Sequence, residues 1–529
     1  MADNSPPMAE IRNILFIMCD QLRADYLGCT GHGAIRTPHI DALAARGVTF
    51  SASYAQAPVC GPSRMSFYTG RYVSSHGSTY NNIPLPISIP TLGDHLRPLG
   101  FRVVVVGKTH VAPDLAGLKR LGLSAGRTSP LTQGGFEPVM RDDGLHPNAS
   151  ASRDAPYNRF LRSQGYDGDN PWHDYAHSAL DANGLVRSGW LMRHARLPAR
   201  VADEHSESAF VTDTAIRFIE EAGSQPWCLH VSYIKPHWPY MVSAPYHALY
   251  DEGHVPAANR DERERTGAHP VHARFMELDY SQSFQRDDVR ATVIPTYMGL
   301  VTQVDAHIGR LIDRLRDRRL LDETLIVVTS DHGDYLGDHW LGEKDLFHEE
   351  SVRIPLVIVD PTEAADETRG RRSDALVEAV DLLPTFIDVA GGQIPGHVVE
   401  GHSLLPLIRA PGCDWPKEAA FSECDYSHSP ARLALGLRPH EARGFMIRTR
   451  DWKYAFFEKL GPQLLDLRND PRERCDLGAD PGYEKVRRDL NEQLFAWMRA
   501  LRHRRTVSDD EIERHTGTDK QKGFLIGVW

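Results

Sequence analysis

A cysteine followed by Gly-Pro-Ser-Arg, at Cys60 to Arg64, is the segment of the sequence with the most evident chemistry. Pro62 and the helix-compatible residues behind it predict that Cys60 lies at or just before the N-terminus of a helix. Free backbone N–H groups and the helix dipole attract an anion at that point and favour a charged nucleophile. Arg64, about one turn further along, could face the same point. A lone cysteine in a turn is more often structural, so the rest of the chain has to decide between the two interpretations.

Acidic, amide and imidazole side chains follow two of the predicted buried strands. Asp20-Gln21 follows the strand predicted over Asn13 to Cys19. Asp331-His332 follows the strand predicted over Thr324 to Ser330. In open α/β sheets, ligands gather beyond the carboxyl ends of the strands. Oxygen ligands with an imidazole suit a divalent cation. Each pair by itself is weak evidence, because an Asp after a strand is more often a cap or turn residue.

The elements that must position these residues alternate between short apolar runs and helical patterns, which is typical of a mostly parallel α/β sheet. The other predicted buried strands are Phe101 to Val106, Trp227 to Ile234 and Ile354 to Asp360. Thr37-Pro38 predicts the start of a helix, with Thr37 as its N-cap. An apolar stripe between about 289 and 319 predicts a long core helix.

Two changes of composition divide the chain. Residues 111 to 205 are rich in Gly, Ser, Asp and Arg and predict long loops, which in a compact enzyme are usually functional or disordered. Pro411-Gly412 indicates a linker, followed by short antiparallel strands and a helix from about 483 to 502. We therefore predict a catalytic domain over residues 10–408 and a smaller C-terminal α+β domain over residues 409–529.

The composition argues against several classes of protein. The formal net charge is −11 with both signs well mixed, so no basic face indicates nucleic acid. No run of about eighteen apolar residues occurs, and the first apolar run, Ile14 to Cys19, is too short for the core of a signal peptide. Seven scattered cysteines without a CxxC pair argue against a disulfide framework and a zinc-thiolate site. We therefore expect a cytoplasmic protein that binds neither nucleic acid nor membrane.

The C-terminal tail is polar and then ends in apolar side chains, namely Phe524, Leu525, Ile526, Val528 and Trp529. A terminal segment normally frays unless something ties it down, and these side chains need cover. We expect a homo-oligomer, a dimer or a tetramer, that this tail supports. Docking of the tail on its own subunit is the alternative.

The Cys60 segment, with the Thr-Gly-Arg that ends at Arg71, resembles the signature of the sulfatase family, in which an enzyme oxidises the cysteine to formylglycine. Asp20 and the string SDHGDYLGDH from Ser330 to His339 are similar to the metal site of that family. The resemblance extends from Asn13 to the C-terminal strings KYAFF and LLDLRNDPRE. It implies the alkaline phosphatase-like fold: an α/β protein with a large, mixed, mostly parallel sheet flanked by helices, and a smaller C-terminal α+β domain.

The resemblance also implies a reaction. It is the hydrolysis of sulfate monoesters, of the aryl sulfatase type, by a formylglycine at position 60 and one divalent metal ion, Ca²⁺ or Mn²⁺. Hydrated formylglycine attacks sulfur or phosphorus, and its second hydroxyl lets the covalent ester collapse and release the anion. The implied partners are a small anionic ester as substrate and the maturation enzyme that generates formylglycine.

The roles of individual residues follow from the same resemblance. The implied metal ligands are Asp20, Gln21, Asp331 and His332. The implied catalytic residues are Cys60, Arg64, Lys108, His110, His237 and Lys344, and the implied substrate-binding residues are Asn81 and Lys235. Arg64, Lys108 and Lys344 would bind the oxygens of the ester. His237 would protonate the departing alcohol, and His110 would take the proton from the second hydroxyl. An aromatic leaving group could rest on Trp238 or Tyr240.

The sequence departs from the common pattern at the first pair, because many sulfatases have two aspartates where this chain has Asp20-Gln21. The Asp-Gln form occurs in relatives that resemble choline sulfatases and phosphonate monoester hydrolases, and the strings SAPYHALY and RIPLVIVD resemble the latter. Those hydrolases tend to carry Tyr and Thr in place of Lys108 and His110. Four alternatives therefore stay open: a phosphonate monoester hydrolase or phosphodiesterase, a choline-sulfatase-like enzyme, a metal-dependent phosphomonoesterase with an unmodified nucleophile, and a non-catalytic anion-binding protein.

Overall fold

The computed structural model describes residues 11–124, 126, 129–144 and 154–516, together with residues 518 and 521. The strands are β1 (Asn13–Cys19), β2 (Val48–Phe50), β3 (Ser53–Tyr54), β4 (Arg102–Gly107), β5 (Glu137–Arg141), β6 (Ser178–Leu180), β7 (Val186–Ser188), β8 (Trp227–Tyr233), β9 (Thr324–Ser330), β10 (Leu356–Val359), β11 (Arg371–Ser373), β12 (Val377–Glu378), β13 (Ala419–Asp425), β14 (Arg443–Thr449), β15 (Trp452–Phe457) and β16 (Gly461–Asp466).

The α-helices in these ranges are α1 (Pro38–Arg46), α2 (Cys60–Thr69), α3 (Val73–His76), α4 (Leu92–Leu96), α5 (Leu115–Arg120), α6 (Pro156–Ser163), α7 (Glu207–Glu221), α8 (Glu262–Thr266), α9 (Pro270–Met276), α10 (Asp279–Phe284), α11 (Asp287–Asp317), α12 (Glu349–Val352), α13 (Leu382–Val389), α14 (Leu405–Arg409), α15 (Pro430–Ala434), α16 (Glu484–Ala500) and α17 (Asp509–His515). None of the described helices is both long enough and apolar enough to cross a membrane.

Eight strands form the main sheet, in the order β11-β2-β10-β9-β1-β8-β4-β5. Strand β1 lies between β8 and β9 and is parallel to both, and β4 continues the parallel series beside β8. Strand β10 is antiparallel to its neighbours β9 and β2. The sheet is therefore mixed but mostly parallel, and the predicted fold class is confirmed.

Helices cover both faces of this sheet, which explains why its central strands are apolar without alternation. Successive side chains of β1 point to opposite faces. On one face, Leu15, Ile17 and Cys19 pack with residues of α1, α7 and α11. On the other face, Ile14, Phe16 and Met18 pack with residues of α2, α4 and α13. The sheet thus separates two large apolar cores.

The structure corrects the start of one predicted strand and the capping side chain of a helix, α1, that begins at Pro38 as predicted. The strand predicted over Ile354 to Asp360 begins only at Leu356, because Pro355 has no N–H to donate to a ladder. Thr37 is the N-cap residue of α1, but its side chain does not cap the helix. The carboxylate of Asp305 on α11 does so instead, accepting from the backbone N–H groups of His39 and Ile40 at 3.2 and 2.8 Å.

Residues 111 to 205 contain more regular structure than predicted. Their described part includes β5, α5, α6 and the hairpin of β6 and β7. Tyr157, Leu161 and Trp172 belong to a separate small apolar cluster in this region. The composition suggested loops because each element is short and the cluster is small.

The C-terminal part folds as an α+β unit, as predicted. Strands β13 to β16 form a four-stranded antiparallel sheet, and Leu490 and Leu494 of α16 pack against its side chains. The exact domain boundary at 408/409 stays a prediction. The apolar tail from Phe524 to Trp529, on which the oligomer prediction depends, lies outside the described residues.

Candidate active site

Four neighbouring parallel strands, in the order β9-β1-β8-β4, end at one edge of the main sheet. Cys19 pairs with both Ser330 and Tyr233, and Gly107 pairs with Ser232. Because the strands end level with one another, the residues that follow them meet. These residues are Asp20 and Gln21, Asp331 and His332, Lys108 and His110, and Lys235 and His237.

Cys60 is the first residue of α2, as predicted, and its side chain is buried. Asn81 Oδ1 accepts a hydrogen bond from the backbone N–H of Gly61 at 2.7 Å. Ser63 Oγ donates to the carbonyl of Asp331 at 2.6 Å. The start of α2 is therefore fastened to the end of β9, which fixes the place of Cys60. Asn81 lines the cavity described below, and its contact with Gly61 also makes it a cap for this helix.

Asp20, Cys60, Asp331 and His332 are buried, and their potential ligand atoms all lie within 4.8 Å of one another. His332 Nδ1 donates to the carbonyl of Gly333 at 2.8 Å, so the lone pair is on Nε2. Cys60 Sγ lies 3.0 Å from that Nε2 and 3.7 Å from Asp20 Oδ1. Two carboxylates and one imidazole beside position 60 fit a divalent cation, and a lone sulfur does not make a zinc-thiolate site.

Arg64 neutralises both of these carboxylates. Its Nε donates to Asp331 Oδ2 at 2.7 Å and its Nη2 to Asp20 Oδ2 at 3.0 Å. Its Nη1 donates to the carbonyl of Lys108 at 2.9 Å and to Ser232 Oγ at 2.8 Å. Burial alone would lower the pKa of Arg64, but Asp331 and then Asp20 raise it well above its usual value. Most of its N–H groups are therefore engaged with protein atoms, and contact with a substrate oxygen stays a prediction.

Lys108 and His110 lie on the turn after β4, and both line the cavity. Lys108 Nζ is 2.6 Å from Asp20 Oδ2. Burial would lower the pKa of Lys108, but the Asp20 carboxylate outweighs it and the pKa is raised. His110 has a left-handed backbone with φ of 55°. Asp143 Oδ1 holds this turn by accepting from the N–H groups of Thr109 and His110 at 2.7 and 3.1 Å.

The side chains of His237 and Lys344 contact each other in the site. His237 Nδ1 donates to the carbonyl of Trp238 at 2.7 Å, and its Nε2 lies 3.2 Å from Lys344 Nζ. Burial first, and then the charge of Lys344, hold the pKa of His237 well below its usual range. Burial also raises the pKa of Glu343 to about 7 and raises that of Asp345. Lys344 is therefore a cation between Glu343 and Asp345, and burial favours the neutral form of both acids.

The amide of Gln21 is oriented by a buried carboxylate. Its Nε2 donates to Asp334 Oδ2 at 2.6 Å, and the same oxygen accepts from Tyr240 OH at 2.7 Å. Gln21 Oε1 accepts from Lys344 Nζ at 2.7 Å. A carboxylate at position 21 would face Asp334, which explains why an amide suits this position. Ligation of a metal by Gln21 stays a prediction, since in this arrangement its oxygen bonds to Lys344.

Lys235 lies behind the cavity lining, and its ammonium contacts three residues that line the cavity. Its Nζ donates to the carbonyls of His237 and Pro239 at 3.3 and 3.0 Å and lies 3.4 Å from Glu207 Oε2. The side chain is buried and absent from the cavity lining. This placement does not support the predicted contact with substrate, because every observed partner of the ammonium is a protein oxygen.

The cavity has a volume of about 600 Å³ and is lined by Cys60 and the residues around it. The predicted site residues that line it are Cys60, Asn81, Lys108, His110, His237 and Lys344. The lining also includes the rings of Tyr80, Trp190, Trp238, Tyr280 and His428 and the charged side chains of Arg141, Asp143 and Glu207. Trp238 lines the cavity, whereas Tyr240 does not, because it is buried and its hydroxyl donates to Asp334. Contact of an aromatic leaving group with Trp238 stays a prediction. A larger cleft of about 850 Å³ near β11 and α16 contains none of these residues.

Sequence reasoning missed Asp143 and Asp334, which orient His110 and Gln21. Asp334 lies inside the recognised SDHGDYLGDH string, so its position could have drawn attention. Asp143 lies 33 residues after His110, and no local pattern connects the two. Only the pairing of β4 with β5 brings them together.

Two protein-family models match the chain. The model described as Sulfatase matches residues 12–392, and that described as N-sulphoglucosamine sulphohydrolase, C-terminal, matches residues 337–500. The chain is 30% identical over 530 residues to the Multifunctional alkaline phosphatase superfamily protein PehA of Trinickia caryophylli, covering 94% of this chain and 98% of the relative. It is 27% identical to the Arylsulfatase of Clostridium perfringens, covering 89% and 91%.

Among solved structures, the fold is similar to that of the phosphonate monoester hydrolase SpPMH from Silicibacter pomeroyi, with a TM-score of 0.80 and 30% identity over 93% of this chain and 96% of that one. The phosphonate monoester hydrolase of Agrobacterium radiobacter gives a TM-score of 0.80 at 28% identity, covering 92% and 95%. The Sulfatase match alone spans well over half of the chain. The chain belongs to the sulfatase family, with the alkaline phosphatase-like fold, and is a hydrolase that acts on sulfuric esters.

Proposed function

We propose that this enzyme hydrolyses sulfate monoesters of the aryl sulfatase type through a formylglycine formed from Cys60 and one divalent metal ion, Ca²⁺ or Mn²⁺. In the same cavity it would also hydrolyse phosphonate monoesters and phosphodiesters. One observation carries this proposal: Cys60, at the start of a buried helix, shares a cavity with the cations Lys108 and Lys344 and the imidazoles of His110 and His237.

The charge of the site favours a singly charged anion. Arg64, Lys108 and Lys344 supply three cations against the carboxylates of Asp20 and Asp331. Sulfate monoesters, phosphonate monoesters and phosphodiesters each carry one negative charge on a tetrahedral centre. Because ammonium and guanidinium groups recognise charge more than the central atom, one site can accept all three classes.

The metal ion would be held by Asp20, Asp331 and His332, with the amide oxygen of Gln21 and the side chain at position 60 beside them. When bound, it would lower the pKa of an oxygen at position 60 and offset the charge of the ester. Formation of formylglycine requires a maturation enzyme that reads the Cys-Gly-Pro-Ser-Arg segment.

Four side chains of the protein would then have separate roles in the reaction. Lys108 and Lys344 would bind the non-bridging oxygens of the ester. The negative charge of the bound ester favours the protonated form of His237, which can donate from Nε2 to the leaving oxygen because Nδ1 is already fixed on Trp238. His110, which lines the cavity after β4, would accept the proton that must leave position 60 when the product is released.

A second candidate is an enzyme that acts chiefly on phosphonate monoesters or phosphodiesters. It is favoured by the similarity, at 30% identity each, to a relative described as multifunctional and to a phosphonate monoester hydrolase. The Lys108 and His110 pair in the cavity favours sulfate esters instead, so the two observations point to different preferred substrates within one site.

A paired kinetic comparison tests this proposal. Metal-analysed enzyme would be assayed with p-nitrophenyl sulfate, the p-nitrophenyl ester of phenylphosphonate and bis(p-nitrophenyl) phosphate. A tryptic peptide containing residue 60 should be about 18 Da lighter by formula than the cysteine form. Activity on phosphorus esters with no sulfatase activity would establish the second candidate. Full activity with only cysteine at position 60 would contradict the formylglycine mechanism.

We further propose, from the sequence, that the enzyme works in the cytoplasm and is a dimer or tetramer. Light scattering on the full chain and on a chain ending at residue 515 tests the oligomer. A monomer in both cases would contradict it.

A further inference from the structure

The segment from Ile234 to Tyr240 (IKPHWPY) brings His237 into the cavity. Pro236 and Pro239 have no backbone N–H, so this segment offers few donors for its own carbonyls. Three successive carbonyls nevertheless accept side-chain hydrogen bonds. Lys235 Nζ donates to those of His237 and Pro239, and His237 Nδ1 donates to that of Trp238. One ammonium thus holds the backbone on both sides of the carbonyl that fixes the imidazole.

Glu207, the first residue of α7, balances the charge of this ammonium from a different part of the chain. Its Oε2 lies 3.4 Å from Lys235 Nζ, and its Oε1 accepts from His177 Nε2 at 3.2 Å and from Trp172 Nε1. Lys235 is 3% exposed and Glu207 is 7% exposed, so each would be costly to bury without the other. Burial would raise the pKa of Glu207, but Lys235 and then His177 lower it to about 2.

We propose that Lys235 and Glu207 are a positioning pair that holds the His237 ring with Nε2 toward the leaving-group oxygen. This inference rests on the proposed function, in which His237 is the acid. The ring orientation depends on the Trp238 carbonyl, which lies between two carbonyls that Lys235 holds. The carbonyl of Pro239 also accepts from the backbone N–H of Met241 at 2.9 Å, so that of His237 depends more on the ammonium. The pair therefore acts on proton donation through the backbone. Glu207 also lines the cavity, whereas Lys235 does not.

The test is the dependence of rate on the leaving group. Wild type and Lys235→Met are compared on two series, aryl sulfates and aryl esters of phenylphosphonate, whose phenols span a wide range of pKa. The variant should lose about 10- to 100-fold with phenyl esters but only a few-fold with nitrophenyl esters, because good leaving groups need little help from an acid. In a His237→Ala background, Lys235→Met should have little further effect, since the two residues act as one unit.

Lys453→Met is a matched control. Lys453 is also a buried lysine, with bonds to the carbonyl of Phe347 and to Glu473, but it lies outside the cavity. It should lower stability and leave the leaving-group dependence unchanged. If Lys235→Met does not fold, Glu207→Gln takes its place and should steepen the dependence by a smaller factor.

The outcomes separate this inference from the proposed function. An active wild type with the same leaving-group dependence in Lys235→Met and Glu207→Gln overturns the positioning role. Additive losses in the double variant also overturn it and favour direct binding of substrate by Lys235. A wild type that cleaves neither series overturns the proposed function, and the inference with it.

Discussion

The two sides of the active-site cavity are built differently. The floor is the buried layer around Cys60 and consists of Asp20, Arg64, Lys108, Asp331 and His332, of which Lys108 lines the cavity itself. These residues follow regular parallel strands or, in the case of Arg64, lie on a buried helix. The wall consists of Tyr80, Trp190, Trp238, Tyr280 and His428. Tyr80 stacks on His428 at 4.9 Å between ring centroids, and Trp190 meets Trp238 at 5.5 Å.

The floor residues have little conformational freedom, because the hydrogen bonds between the strands and the ion pairs among their side chains fix their positions. The wall side chains lie mainly outside the sheet, and they contact each other through rings rather than ion pairs. Loops tolerate substitution better than the elements they connect. We infer that the floor determines the reaction and the wall determines which ester is accepted. The following four predictions test that division.

The largest effect is expected for Cys60→Ala, which removes the proposed nucleophile. Turnover should fall by about 10⁴-fold or more for all three ester classes, with little change in melting temperature. Cys228→Ala is a matched control, because Cys228 is also fully buried but lies within β8, outside the cavity. Steady-state kinetics and thermal unfolding check both variants. Activity near the wild-type level in Cys60→Ala would contradict the assignment of residue 60 as the nucleophile.

Asp331→Ala should lose the divalent ion. The substitution removes a ligand and leaves Arg64 without one of its two carboxylates, so kcat/KM should fall by at least about 100-fold. Metal content after desalting is the measurement. Asp305→Ala, at a buried aspartate that instead caps α1, should reduce stability but keep the metal. Equal metal content in the two variants would contradict the floor as a metal site.

His237→Ala should lower all three activities together, by about 10²- to 10⁴-fold for poor leaving groups and less for nitrophenyl esters. The reason is that the same imidazole serves every ester bound on the floor. The measurement is kcat/KM over a leaving-group series. Survival of one ester class while another vanishes would show that the classes use different sites.

The smallest effect is expected on the wall. Trp190→Ala should reduce kcat/KM for aryl esters by about 3- to 10-fold, through lost ring contacts, and leave methyl esters nearly unchanged. Trp452→Ala, at a tryptophan that lies outside this cavity, is the control. The ratio of aryl to alkyl activity is the quantity to compare. An equal loss for both kinds of ester would mean that Trp190 supports the floor rather than selecting the substrate.

Several features were determined by the sequence alone. Strands β1 and β9 have the predicted bounds, because a fully buried strand between two helical layers must be a continuous apolar run. The start of α2 at Cys60 was also predictable, since Pro62 is compatible only with the first turn of a helix. The placement of Asp20 and Asp331 at one edge follows from parallel strands, which end on the same side.

Other features were decided only by the tertiary structure. Asp305 caps α1, Asp143 holds His110, and Asp334 orients Gln21. In each case a carboxylate, buried for Asp305 and Asp334 and half-buried for Asp143, accepts from N–H donors that lie far away in the sequence. Lys235 shows the same dependence, because the motif places it beside His237 but only the folding of α7 brings Glu207 to its ammonium. Local sequence patterns predict the secondary structure and the apolar faces of its elements. The partner of a buried polar group instead depends on which distant element packs against it.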